Sequence, residues 1–85
     1  MNKKKEIFKI VKGAIIKYLF ADENEVTLST DILVDLDPES IDLMELYVRL
    51  EEEFDIEIDN KKVAHIVTVE DLVDFIFKEL NEEYK

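Results

Sequence analysis

The chain has 85 residues, a formal net charge of −11 at pH 7 and no cysteine. That length supports one small domain held by its hydrophobic core, with no disulfide or thiolate metal site to help. One glycine and one proline argue against a turn-rich all-β fold and for a few long helices. The charge itself excludes nucleic acid and anionic membrane as natural partners and favours basic surfaces.

Lysines open the chain. Lys3, Lys4, Lys5, Lys9, Lys12 and Lys17 interrupt the early apolar residues, so no signal-peptide core forms and no small-residue cleavage site follows. No segment reaches the length of a membrane span. A cytoplasmic protein is expected, or one of an organelle matrix after removal of a targeting segment. Among these lysines Ile7, Val11, Ala14, Ile15, Tyr18 and Leu19 recur at helical spacing, predicting an amphipathic helix over residues 3–20. Asp22-Glu23-Asn24-Glu25 ends it and begins a connection to Asp37, long for a bare loop but supplied with apolar anchors at Val26, Leu28, Ile32, Leu33 and Leu36.

Asp37-Pro38 signals a helix start, with Asp as cap and Pro as first helical residue; Ser40 is the alternative cap. The second helix is predicted to run to about Glu53. Leu43, Leu46, Tyr47, Leu50 and Phe54 supply its core side, and Ile41, Met44, Val48 and Glu51-Glu52 share the other. The alternation of Phe54, Ile56 and Ile58 with acids has the period of a strand. Without a second strand to pair with, an extended linker is expected. Asp59 or Asn60 caps a short third helix over Lys61–Ile66. Thr68 caps a last helix that carries Val69, Leu72, Val73, Ile76 and Leu80 on one face and acids in its first turn. The predicted fold is all-α: a small four-helix bundle, three longer helices and one short, with a long loop between the first two.

From Asp22 to Asp59 there are fifteen acidic residues and a single base, Arg49. Ser40 stands at the mouth of the acidic second helix. A hydroxyl there lies beside free backbone N–H groups and the positive end of the helix dipole, which favour a phosphate. Taken alone, a serine after Pro at a helix start also reads as a capping residue.

The run from Asp35 to Ile58, DLDPESIDLMELYVRLEEEFDIEI, resembles the core of the acyl carrier proteins. Glu39-Ser40-Ile41 corresponds to that family's Asp-Ser-Leu motif, and Glu51-Glu52-Glu53-Phe54-Asp55 follows at the family's distance. The likeness covers nearly the whole chain, 1–85, as one acyl-carrier-like domain. It implies that Ser40 carries 4′-phosphopantetheine, placed by a phosphopantetheinyl transferase from coenzyme A, and that acyl intermediates ride on the arm as thioesters, in fatty acid biosynthesis. It also implies that Glu39, Ile41, Asp42, Met44, Glu45, Val48, Glu51 and Glu52 meet basic-surfaced fatty acid synthesis enzymes, the carrier being a monomer. Where the family has Gly-x-Asp-Ser-Leu, this chain has Asp37, Glu39 and Ile41 in place of Gly, Asp and Leu.

No catalytic activity is expected, because one histidine, no cysteine and no nucleophile–base pair leave little for chemistry. A calcium loop fails on spacing. Started at Asp35 it puts Ser40 where glycine is needed and Leu46 where the bidentate acid belongs, and started at Asp55 it ends on Ile66. No metal site is assigned. His65, beside Lys61 and Lys62, receives no role, although the basic third helix departs from the acids common in the family. The alternatives are a carrier of amino acid or polyketide units, and an unmodified acidic interaction module of the same fold.

Overall fold

The structure, a computed structural model, describes residues 3–82; Met1, Asn2 and residues 83–85 of the expected domain lie outside the described residues. It comprises α1 (Lys3–Leu19), a 3-10 turn (Glu23–Glu25), α2 (Ser40–Phe54), α3 (Asn60–Val63) and α4 (Val69–Glu82). Three longer helices and one short one are present, with no strand among the described residues.

The periodicity of α1 explains its central place. Ile7, Val11, Ile15 and Leu19 are all buried and fall at every fourth position, which forms one continuous stripe. That stripe packs on both α2 and α4. α4 answers with Val69, Leu72, Val73 and Ile76, and α2 with Leu46 and Leu50. Each such side chain contributes about 1.5–3 kcal/mol by leaving water. Leu43, Tyr47, Phe54 and Leu80 are half-buried against this core, as the spacing predicts.

Helix α1 stops at Leu19, one residue before the expected end, because Phe20 turns left-handed with φ 59. The long connection is a built structure. Val26 and Ile32 are fully buried, whereas Leu28 and Leu33 remain largely exposed. Buried Thr30 donates its hydroxyl to Glu25 O at 2.7 Å and accepts from Thr27 N–H at 2.8 Å. Three backbone bonds, each 2.9 Å, then tie the connection to the entrance of α4: Ile32 N–H to Val67 O, Val69 N–H to Thr30 O and Glu70 N–H to Leu28 O.

Two further boundaries differ from expectation. Neither Asp37 nor Ser40 caps α2: Asp37 is left-handed (φ 44), Glu39 is the N-cap, and Ser40 is the first helical residue. A left-handed residue cannot stand at a cap that needs extended backbone, so the start moves two residues on from Asp37. α3 ends at Val63, not Ile66, although Asp59 caps it as expected, accepting from Lys62 N–H at 2.9 Å. Asp55 ends α2 in the left-handed region (φ 54), and residues 56–59 form the linker. The Glu51 carboxylate accepts from Ile58 N–H at 2.8 Å, and Ile56 N–H donates to Glu51 O.

Candidate functional site

The entrance of α2 is built by three consecutive residues. Asp37 redirects the chain, half-buried Pro38 follows, and Glu39 takes extended backbone with no side-chain capping bond. Ser40 then starts the helix with its side chain exposed. The first helical bond runs from Leu43 N–H to Glu39 O at 3.0 Å, and the N–H groups of Ser40, Ile41 and Asp42 have no partner among the described residues. Free donors and the positive helix end face solvent beside the hydroxyl. Among the described residues no His, Lys or other base is hydrogen-bonded to Ser40.

Upstream, a turn not foreseen in the sequence holds the approach. The Asp31 carboxylate accepts from Leu33 N–H at 3.0 Å and Val34 N–H at 2.8 Å, while Asp35 accepts from Asp31 N–H at 2.9 Å. Carboxylates that bond backbone two and three residues on are a known turn device. The Asp31-x-x-x-Asp35 spacing was the available signal.

Along α2 the expected docking residues divide. Ile41, Met44 and Val48 are exposed, at 72%, 66% and 46%, and form one apolar strip at helical spacing. Glu39, Glu45 and Glu52 are exposed beside it and Asp42 is half-buried. Glu45 and Glu52 both hold Arg49, at 2.9 and 3.4 Å, and Glu45 chiefly raises the guanidinium pKa further above its usual value. Such exposed pairs are weak, so a partner's cation can displace Arg49 at little cost. Glu51 stands apart, half-buried and engaged with the linker. Tyr47 lies on the core flank of α2, where burial pushes its phenol up.

Two surface grooves lie elsewhere. One of about 480 Å³ runs between α1 and α2, lined by Ile10, Gly13 and Tyr18 opposite Arg49 and Glu52. The other, about 360 Å³, lies between Phe8, Leu28 and Val73. Ser40 lines neither. His65 and Lys61 are exposed, and Lys62 bonds Glu79 at 2.9 Å, which raises its pKa. Among the described residues no three His, Cys, Asp or Glu side chains converge where a cation would sit, and no helix is long and apolar enough to cross a membrane.

Residues 9–76 match the phosphopantetheine attachment site family, a span that contains the whole α2 entrance. The chain belongs to that family. Its relatives include the acyl carrier protein of Petrotoga mobilis, 38% identical over 78 residues that make up 92% of each chain. The acyl carrier protein of Thermotoga maritima is also 38% identical, over 94% of this chain and 99% of its own. Among solved structures, an acyl carrier protein from Enterococcus faecalis superposes with a TM-score of 0.75 at 31% identity, covering 92% of this chain and 99% of the other.

The residues fit the family's group. An exposed hydroxyl is free to form an ester, three N–H groups without a partner among the described residues can donate to a phosphate, and nothing described crowds the entrance with a competing cap. The departure at Asp37 is also accounted for. Its φ of 44 is the conformation in which the motif's glycine would be at ease, and Asp is among the few other residues that adopt it.

Proposed function

We propose that this chain is an acyl carrier protein of fatty acid biosynthesis, a single domain that takes its 4′-phosphopantetheine arm on Ser40. The observation that carries the assignment is the open entrance of α2: an exposed serine hydroxyl at the first helical position, beside three N–H groups without a partner among the described residues, inside the matched family span. In the modification Ser40 Oγ forms a bond to the coenzyme A phosphorus that bears pantetheine, and the anhydride P–O bond breaks. Adenosine 3′,5′-bisphosphate leaves and the hydroxyl proton passes to the transferase. Once attached, the arm supplies the thiol on which acyl groups are held as thioesters.

The protein's own residues position and present that arm, and the reaction chemistry belongs to its partners. Ile41, Met44 and Val48 offer a strip for shallow apolar pockets, and Glu39, Asp42, Glu45 and Glu52 offer negative charge to basic rims. Complementary charge of this kind speeds encounter and sets orientation without a long residence time. That suits a cytoplasmic monomer that must leave each enzyme again. Glu51 serves the fold through Ile58, and any docking role for it is secondary.

The test is acyl loading. The holo protein is incubated with the elongation enzymes of fatty acid synthesis, and its products are treated with neutral hydroxylamine. A growing saturated acyl series released by hydroxylamine supports the reading. Loading only with amino acids or with branched polyketide units contradicts the pathway while leaving the carrier.

A further inference from the structure

Arg49, the single base between Asp22 and Asp59, does not stand where the helix dipole would place it. A cation is stabilising in the last turn of a helix, near the negative end of the dipole. The last turn of α2 carries no base, and Arg49 lies just before it, between two acids. Its Nε donates to Glu45 at 2.9 Å and its Nη1 to Glu52 at 3.4 Å. One planar fork thus serves two carboxylates, a geometry for which arginine is better preorganised than lysine.

The two acids it holds are those that flank the apolar strip. Glu45 is one helical turn from Ile41 and from Val48, and Glu52 is one turn from Val48, so each acid borders the strip. Arg49 lies on their other side. It lines the groove toward α1, with its guanidinium 5.8 Å from the Tyr18 ring. Across this surface the order is strip, acids, arginine, α1. All three charged side chains stay about half open to solvent or more. A partner's cation that approaches the rim of the strip therefore meets carboxylates that already hold one.

We propose that Arg49 is an internal counter-ion that competes with the lysine or arginine of a docking enzyme for Glu45 and Glu52, and so loosens the hold of basic-surfaced partners on α2. This rests on the reading of α2 as the docking helix. Both pairs are exposed and individually weak, so Arg49 acts as a brake and not as a block. A looser complex dissociates sooner, which serves a carrier that must leave each enzyme. The sign of the effect separates this role from its rivals. An arginine that bonded an acid of the partner would weaken docking when removed. An arginine that only stiffened α2 would leave docking unchanged or weaker. Competition alone tightens docking when the arginine is lost.

The test measures the KM of the unmodified chain for the native phosphopantetheinyl transferase, which must work at Ser40 beside this strip, with coenzyme A and Mg²⁺. The variants are Arg49→Gln, Arg49→Lys, Glu45→Gln and the double variant Arg49→Gln with Glu45→Gln. Glutamine keeps the helix propensity of arginine. Lys9→Gln is the control of equal charge, since exposed Lys9 lines neither groove. Arg49→Gln should lower the KM about two- to fivefold at low salt, and the gap should close toward 1 M salt as the charges are screened. Arg49→Lys should fall between wild type and Arg49→Gln, and Lys9→Gln should move the KM less. Glu45→Gln should raise the KM more beside Arg49→Gln than in the wild-type chain, the mark of competition for one carboxylate. Tm should fall by no more than about 4–8 °C. A KM that is unchanged or higher in Arg49→Gln, or one that falls equally in Lys9→Gln, overturns the counter-ion while the docking acids stand. A KM indifferent to Glu45→Gln in both backgrounds overturns the docking role of that acid and the counter-ion with it, and leaves Ser40 as the attachment site. A wild-type chain that is never modified overturns all three.

Discussion

The entrances of α2 and α4 are opposites. At α4 each of the first three N–H groups is taken: Val69 by Thr30 O, Glu70 by Leu28 O and Asp71 by the Thr68 hydroxyl at 3.1 Å. Asp71 closes the box by accepting from Thr68 and Val67 N–H, each at 3.1 Å. At α2 the corresponding donors of Ser40, Ile41 and Asp42 have no partner among the described residues, and the N-cap side chain makes no bond. The bodies of the helices differ in the same sense. α4 buries Val69, Leu72, Val73 and Ile76 completely, whereas α2 buries Leu46 and Leu50 and shows Ile41, Met44 and Val48 to solvent. One helix is finished within the fold. The other leaves its first donors and an apolar strip facing solvent.

The largest effect expected from that contrast is on stability. Leu72→Ala opens a cavity in the closed helix and should cost about 2–5 kcal/mol, read by urea unfolding. Little cost would mean that α4 is held less tightly than its burial implies. Met44→Lys on the open helix should leave stability within about 0.5 kcal/mol and raise the KM of a fatty acid synthesis enzyme about tenfold through like charge and lost apolar contact. A destabilised protein with unchanged KM would reverse the comparison.

Smaller effects lie at the closed entrance. Thr68→Ala removes the acceptor for Asp71 N–H and should cost about 1 kcal/mol, against no measurable cost for Ser40→Ala at the open one. The smallest concerns pH. Hydrogen bonds from Thr68 N–H, and then Val67 N–H, hold the Asp71 carboxyl below the usual carboxylate range. A depressed folded-state pKa contributes stability that is present above the unfolded value of about 4 and is lost as pH falls through the folded value. The stability gap between wild type and Asp71→Asn should therefore narrow between about pH 5 and pH 2. A gap that stays constant on acidification would show that the cap does not depend on the charge.

What could be read from the sequence follows from how local its causes are. Ile7, Val11 and Ile15, or Val69, Leu72 and Ile76, declare a helix by spacing alone, and Ser40 declares a phosphate-friendly entrance by its place before the acidic run. The true cap, Glu39, was hidden because it depends on the left-handed turn at Asp37. The order of the long connection was hidden for a different reason: its bonds join Leu28, Thr30 and Ile32 to residues 67–70, far away in the chain. Glu51 sits among acids of identical chemistry, and only its contact with Ile58 N–H separates it from them. Phe20 gave no signal, since a helix that ends without glycine or asparagine carries no mark of its left-handed exit.

The central claim is that Ser40 is the attachment point, and intact-mass measurement tests it most directly. The purified chain and Ser40→Ala are incubated with coenzyme A, Mg²⁺ and the native phosphopantetheinyl transferase. The account predicts a gain of one phosphopantetheine on the wild-type chain and none on Ser40→Ala. A wild-type mass that does not move, or a variant that gains the same mass, would contradict it.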